Sequence, residues 1–274
     1  MNVPNDDLYT LPDEMLSMIA SFLIQDNQAS CAFARVCRRF CGVAHDTFDQ
    51  SPTFQHACRR GYTDIVQLLL VDDRVDPTAD DNWAIILSSD NGHSDVVKLL
   101  LADHRADPAA GSNHAILMSS YYGHADVVQL LLADGRADPR ADNNSAMRDS
   151  SEEGHADVVK LLLSDGRVDP TAGDNHAIRW SSLKGHADVV RLLLADPRVD
   201  PTANDNTVIK WCSYHGHADV VRLLLADPRV DPTADNNYAI QMSSKNGHAD
   251  VVQLLLADGR ADPATLLRFK GLPK

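Results

Sequence analysis

A Gly-His pair recurs every 31 residues, six times, and each glycine stands seven residues before a Leu-Leu-Leu run. The pairs are Gly92-His93, Gly123-His124, Gly154-His155, Gly185-His186, Gly216-His217 and Gly247-His248, with a degenerate seventh copy one period upstream at Gly61-Tyr62. A fixed period between about 20 and 50 residues is the signature of a stacked array, in which each copy is one supersecondary unit. Copies then contact only their neighbours, so stability is a sum over adjacent pairs and needs no single large core. Such a chain is mostly surface and leaves little room for an enclosed catalytic pocket. An aromatic content of 5% suits thin layers of Leu, Val and Ala.

One copy shows the logic. Asp81 and Asn82 are placed to cap a helix start, since short polar side chains accept orphan amide protons. The spacing predicts a short helix over Trp83-Ala84-Ile85-Ile86-Leu87-Ser88-Ser89, closed by Asn91-Gly92, where glycine supplies a left-handed terminus. A second helix opens at His93-Ser94-Asp95, with Val96, Val97, Leu99, Leu100 and Leu101 as its apolar stripe and Asp95, Lys98 and Ala102 opposite. Pro108 and the aspartates before it end the unit in a turn. Helices this short cannot stand alone. They must bury their stripes against the next copy.

The pattern Gly-His-x-x-Val-Val-x-Leu-Leu-Leu resembles the ankyrin repeat over roughly residues 48–264. The family's Thr-Pro-Leu-His opening is replaced here by Trp83-Ala84-Ile85-Ile86 and Tyr238-Ala239-Ile240-Gln241, and its Ala-Ala by Ser88-Ser89, Ser119-Ser120 and Ser181-Ser182. The family period is about 33, so two residues are missing from the connecting finger and no full β-hairpin is expected there. The resemblance implies an all-α ankyrin-repeat solenoid of about seven 31-residue helix-turn-helix units spanning 47–264. The tail 265–274 is expected to form a partial capping helix from Thr265 to Lys270.

Residues 1–10 read as a tail, and 11–46 do not share the repeat. Pro12 suits a helix start, and Leu11, Met15, Ile19, Phe22 and Leu23 fall on one helical face. A second helix, about Ala29 to His45, carries Phe33, Val36, Cys37 and Phe40. So short a segment buries little apolar surface alone and needs a partner. Leu11-Pro12-x-Glu14-x-Leu16-x-x-Ile19-x-x-x-Leu23 followed by Val36-Cys37-Arg38-Arg39-Phe40 looks like an F-box, with Phe40 where that family usually has Trp. That resemblance implies docking onto the Skp-family adaptor of a cullin–RING ubiquitin ligase. Leu11, Pro12, Leu16, Ile19 and Leu23 would carry most of the contact, with Val36 and Cys37 completing the motif. An F-box ahead of ankyrin repeats resembles a protein type of large DNA viruses of protists and of some protists. The alternative is an interaction scaffold with these helices as a plain cap.

A net charge of −14 argues against nucleic acid, which demands a basic footprint, and against anionic membrane surfaces. Cys31, Cys37, Cys41, Cys58 and Cys212 form no disulfide framework and read as reduced thiols. The start lacks a signal-peptide pattern and no stretch approaches a membrane span. The expectation is a soluble protein of the cytoplasm or nucleus, in a host cell if viral.

Six histidines in a ladder invite a metal reading. Each opens a helix in a different copy with no ligand-spaced partner, so they are expected to be structural, with no metal or cofactor. Arg-x-Asp-Pro recurs at Arg105, Arg136, Arg167, Arg198 and Arg229 and is expected to pair charges along the turn edge. Cys212, near His215 and His217, stands where other full copies hold Ser and reads as small-residue packing, not a nucleophile. With no asymmetric constellation left, the chain is not expected to be an enzyme.

Binding is better sought where the copies differ. The residues before each glycine and at each first-helix start vary, and in ankyrin arrays these positions line the concave face. Trp83, Tyr121, Tyr122, Glu152, Glu153, Lys184, Tyr214, His215 and Tyr238 are the candidates for holding an unknown target protein. Trp180 and Trp211, where other copies have Leu87, Met118 or Met242, are expected to be partly buried packing.

Overall fold

A computed structural model describes residues 50–72 and 75–262. The F-box-like segment, with Leu11, Pro12, Leu16, Ile19, Leu23, Val36 and Cys37, and the C-terminal tail from Thr265 lie outside the described residues. Among the described residues there are fourteen helices and no strand, the short finger having no β-hairpin. They are α1 (Gln50–Arg60), α2 (Thr63–Leu70), α3 (Ala79–Asp90), α4 (Ser94–Asp103), α5 (Ala110–Tyr121), α6 (Ala125–Asp134) and α7 (Ala141–Glu152). The rest are α8 (Ala156–Asp165), α9 (Ala172–Lys184), α10 (Ala187–Leu194), α11 (Ala203–His215), α12 (Ala218–Leu225), α13 (Ala234–Lys245) and α14 (Ala249–Asp258).

The helices fall into two compact units, one running to Ser119 and adding Gln129–Ala137, the other comprising Ser120–Val128 and the chain from Asp138. In the first unit α1 packs on α2 and α3, and α4 on α2 and α3. In the second, first helices α7, α9, α11 and α13 form one row and second helices α8, α10, α12 and α14 another, each first helix also packing on its own second helix. The second helices hold much of the core. Val158, Val159, Leu162, Val189, Val190, Leu193, Val220, Val221 and Leu224 are all 0–1% exposed. At about 25 cal/mol per Å² of apolar surface, these layers are what drives the stack together.

The start of each first helix departs from the expected cap. Three consecutive residues before the right-handed turns lie in the left-handed region, as at Asp80, Asp81 and Asn82 (φ 53, 57 and 64°) and at Asp235, Asn236 and Asn237 (φ 54, 55 and 65°). The same run precedes His114, Ser145, His176 and Thr207. Left-handed geometry costs an ordinary residue about 1–2 kcal/mol, and Gly, Asn and Asp least. Of the eighteen positions all but Ser112 are Gly, Asn or Asp, so composition makes the turn possible.

The third residue of the run is always Asn, and its side chain acts between repeats, not as a helix cap. Asn82 Oδ1 accepts the backbone N–H of Asp107 at 2.7 Å, and Asn144, Asn175, Asn206 and Asn237 accept those of Asp169, Asp200, Asp231 and Asp262 at 2.8–3.0 Å. Each hydrogen bond contributes about 1 kcal/mol and fixes the turn against its neighbour.

Candidate functional site

The repeated residues are consumed in joints. His93 Nε2 lies 2.8 Å from the carbonyl oxygen of Arg59, and His155, His186, His217 and His248 meet those of Tyr121, Glu152, Leu183 and Tyr214 at 2.8–3.0 Å. A carbonyl only accepts, so Nε2 carries the proton in each. The same rings explain the glycines. A Cβ on Gly154 (φ +82°) would stand 2.5 Å from Nδ1 of His186, and one on Gly185 (φ +84°) 2.6 Å from Nδ1 of His217. Each Gly-His pair therefore works with its neighbours: the histidine seats on the glycine one period earlier. The ladder is structural, and among the described residues no three His, Cys, Asp or Glu side chains gather as a metal would need.

The arginines hold a second seam, with a partner other than the one expected. Each pairs with the aspartate two residues before it, as Arg105 Nε with Asp103 at 2.6 Å and Arg198 Nη2 with Asp196 at 2.7 Å. Arg105, Arg136, Arg198, Arg229 and Arg260 also donate to carbonyls of Val75, Ala106, Val168, Val199 and Val230, about one copy back, at 2.8–3.1 Å. The aspartate that follows Arg instead closes its own turn: Asp200 accepts from the Thr202 amide at 2.8 Å and hydroxyl at 2.7 Å. The side-chain hydrogen bond from Arg198 holds the Asp196 carboxyl below the ordinary carboxylate range, as Arg229 does for Asp227 and Arg105 for Asp103. Since the folded value is depressed, this stabilisation is present above the unfolded pKa of about 3.9 and is lost as pH falls through the folded value.

Cys212 is fully buried, its thiol donating to the Ile209 carbonyl at 3.4 Å, and burial pushes its pKa up. A thiol held protonated is no nucleophile at neutral pH. Packing is its role, as for Ser88, Ser150 and Ser181, which donate to the carbonyls of Ala84, Ala146 and Ala177.

The varying residues are left facing outward. Trp83, Tyr121 and Tyr122 are 38, 41 and 53% exposed, Glu153, Lys184 and His215 are exposed, and Glu152, Tyr214 and Tyr238 are half-buried. In the second unit Lys184 Nζ bridges Glu152 at 3.1 Å and Glu153 at 2.9 Å across adjacent first helices. Tyr121 and Tyr122 meet edge to face, with centroids 5.1 Å apart. Tyr214 and His215 join a larger cluster with Trp211, their centroids 5.9 and 6.1 Å from the indole.

Trp211 corrects the packing expectation. It is 44% exposed, and with Trp180, Arg179, Leu183 and Thr207 it bounds a cleft of about 270 Å³ open to solvent. The signal was present in the sequence: this repeat position holds Leu87, Met118, Asp149, Trp180, Trp211 and Met242, a spread no shared packing site tolerates.

Compared with known proteins, the chain matches a family model described as ankyrin repeats (3 copies) over residues 18–112, 86–174 and 176–265. Among solved structures it is similar to an ankyrin repeat domain (ABAYE2397) from Acinetobacter baumannii AYE, at 19% identity and a TM-score of 0.54, covering 65% of this chain and 99% of that one. It is likewise similar to EF0377, an ankyrin repeat protein, at 19% identity and a TM-score of 0.53, covering 63% and 96%. At that identity the likeness shows fold alone. No curated protein sequence matches.

Proposed function

This chain belongs to the ankyrin-repeat family, whose repeats serve protein–protein interaction, and from that premise we propose that it is a non-enzymatic, two-part adaptor. The first-helix face holds a target protein, and residues 11–46 dock onto the Skp-family adaptor of a cullin–RING ubiquitin ligase. The chain acts by proximity, raising the effective concentration of target at the transferring enzyme. The observation that carries the binding half is the division of labour within each repeat. Residues that recur are spent on joints between copies, while those that vary, from Trp83 to Tyr238, face solvent as large aromatic or charged side chains. The docking half rests on the Leu-Pro and Val-Cys-Arg pattern of residues 11–40. A setting in the cytoplasm or nucleus follows from that machinery.

The test is direct binding of the purified chain to purified Skp adaptor. Capture by the full chain, abolished in Leu16→Asp and Ile19→Asp, is the expected result; capture unchanged in both variants ends the docking assignment. One observation favours a second reading. The first family-model match begins at residue 18, inside the segment 11–46, which suits helices that only cap the array. Deleting residues 1–46 separates the two, because losing a cap lowers the array's thermal midpoint and losing a docking module leaves it nearly unchanged.

A further inference from the structure

We propose that the Trp180–Trp211 cleft is an anchor site for a segment of a partner protein carrying one bulky apolar side chain beside a carboxylate. The proposal rests on the reading of the array as a protein-binding surface and names the chemistry of what it holds.

Size comes first. Small-molecule pockets run from about 300 to 1,000 Å³ and enclose most of their ligand. A cleft of about 270 Å³ that opens to solvent accommodates a single large side chain from a longer segment. Its walls are the two indoles and Leu183, so the inserted group is apolar. The indoles are also held in place in advance. Trp180 stacks on His176 with centroids 5.5 Å apart and 26° between planes, and Trp211 stacks on His215 at 6.1 Å and 22°. Rings already fixed lose little freedom on binding, which is how such anchors gain affinity.

Charge decides what stands beside the anchor. Arg148, Arg179 and Lys210 occupy one repeat position in three successive copies, a cationic row on a chain of net charge −14. Lys210 is answered within the chain by Asp205 at 3.6 Å and Asp235 at 3.8 Å, and Lys184 by Glu152 and Glu153 at 3.1 and 2.9 Å. Arg179 lines the cleft and is answered by no carboxylate among the described residues. Its Nη1 makes one long hydrogen bond, 3.4 Å to the Asp174 carbonyl, and its Nε is enclosed without an acceptor. A guanidinium so placed takes a carboxylate, with the planar fork that favours paired hydrogen bonds. It equally repels a cation, so an ammonium ligand caged by the indoles is disfavoured despite the aromatic walls.

The experiment uses the full chain as bait for a phage-displayed random dodecapeptide library, with Trp211→Ala as counter-selection. Recovered peptides are expected to share an aromatic residue or leucine next to Asp or Glu. Their affinity should fall about tenfold or more in Trp211→Ala and in Arg179→Gln. Thr207→Trp, which keeps both indoles and fills the cleft, should abolish binding, and a thermal midpoint near that of the parent shows that a variant is folded. Peptides with a basic consensus, or peptides indifferent to Arg179→Gln and Thr207→Trp, overturn the cleft assignment while leaving the array a protein-binding surface. Failure to enrich any peptide above bare support overturns it too. In that case the adaptor reading is judged separately by Skp capture, which involves none of these residues.

Discussion

Within each repeat the second helix is nearly a copy of its neighbours, while the first helix differs from one repeat to the next. Helices α8, α10, α12 and α14 all begin Ala-Asp-Val-Val-x-Leu-Leu-Leu, and only the fifth residue changes, among Lys, Arg and Gln. In the first helices, positions 31 residues apart hold His176, Thr207 and Tyr238, or Trp180, Trp211 and Met242. The difference lies in what each side chain must fit. Val190 meets its counterparts in the repeats on either side, so a change of shape there breaks two interfaces. Trp211 faces solvent, and no neighbouring copy constrains its size. In a stack, repetition marks packing and variation marks the surface available for recognition.

That contrast can be broken in three ways, in descending order of effect. Leu193→Ala in α10 removes a fully buried side chain and should cost about 3 kcal/mol in urea unfolding, within the usual range for such cavities. A cost below about 1 kcal/mol would show that the repeated stripe is not where stability resides. Next come two glycines of nearly equal backbone geometry. Gly154 (φ +82°) faces the His186 ring at 2.5 Å from a built Cβ, whereas Gly166 (φ +77°) has nothing within 4 Å. Alanine at Gly166 should cost about 1 kcal/mol for left-handed geometry alone, and at Gly154 about 2 kcal/mol or more because the histidine must also move. Equal costs would remove the joint from the account. Smallest is Tyr122→Ser on the varying face, 53% exposed, expected to change stability by about 0.5 kcal/mol as surface substitutions do. A loss as large as that of Leu193→Ala would erase the distinction between the two helices.

The fold was legible in the sequence because its signals are local and repeated: Gly-His, Val-Val-x-Leu-Leu-Leu and the Ser pairs each specify one step of the stack. What they touch was less legible. The Gly and His of one pair read as a helix end and a helix start, but each seats on a different neighbour, 31 residues away in sequence. Asn82 read as a helix cap, yet its side chain serves Asp107 in the next copy, and the left-handed run before the helix reverses the backbone an N-cap needs. Arg198 carries carboxylates on both sides in sequence, Asp196 and Asp200. Spacing alone does not choose between them, and the turn geometry that does is set by the hydrogen bonds of Thr202 to Asp200. The candidate binding residues were legible as positions, since exposure follows from variation. Trp180 and Trp211 were misjudged because tryptophan's burial tendency was weighed above the disorder of their column.

The Gly-His joint has a consequence for how such a chain can change length. A histidine in the second unit seats on a glycine one full period upstream, and beside it an Asn of one copy holds the Asp of the next 25 residues on. Excising any stretch of exactly one period hands each histidine an equivalent glycine and each asparagine an equivalent aspartate, whereas a stretch one residue longer or shorter leaves a link unclosed. Growth and shrinkage are therefore quantised, like adding or removing whole vertebrae, and every insertion brings with it a fresh outward face on which new specificity can be written.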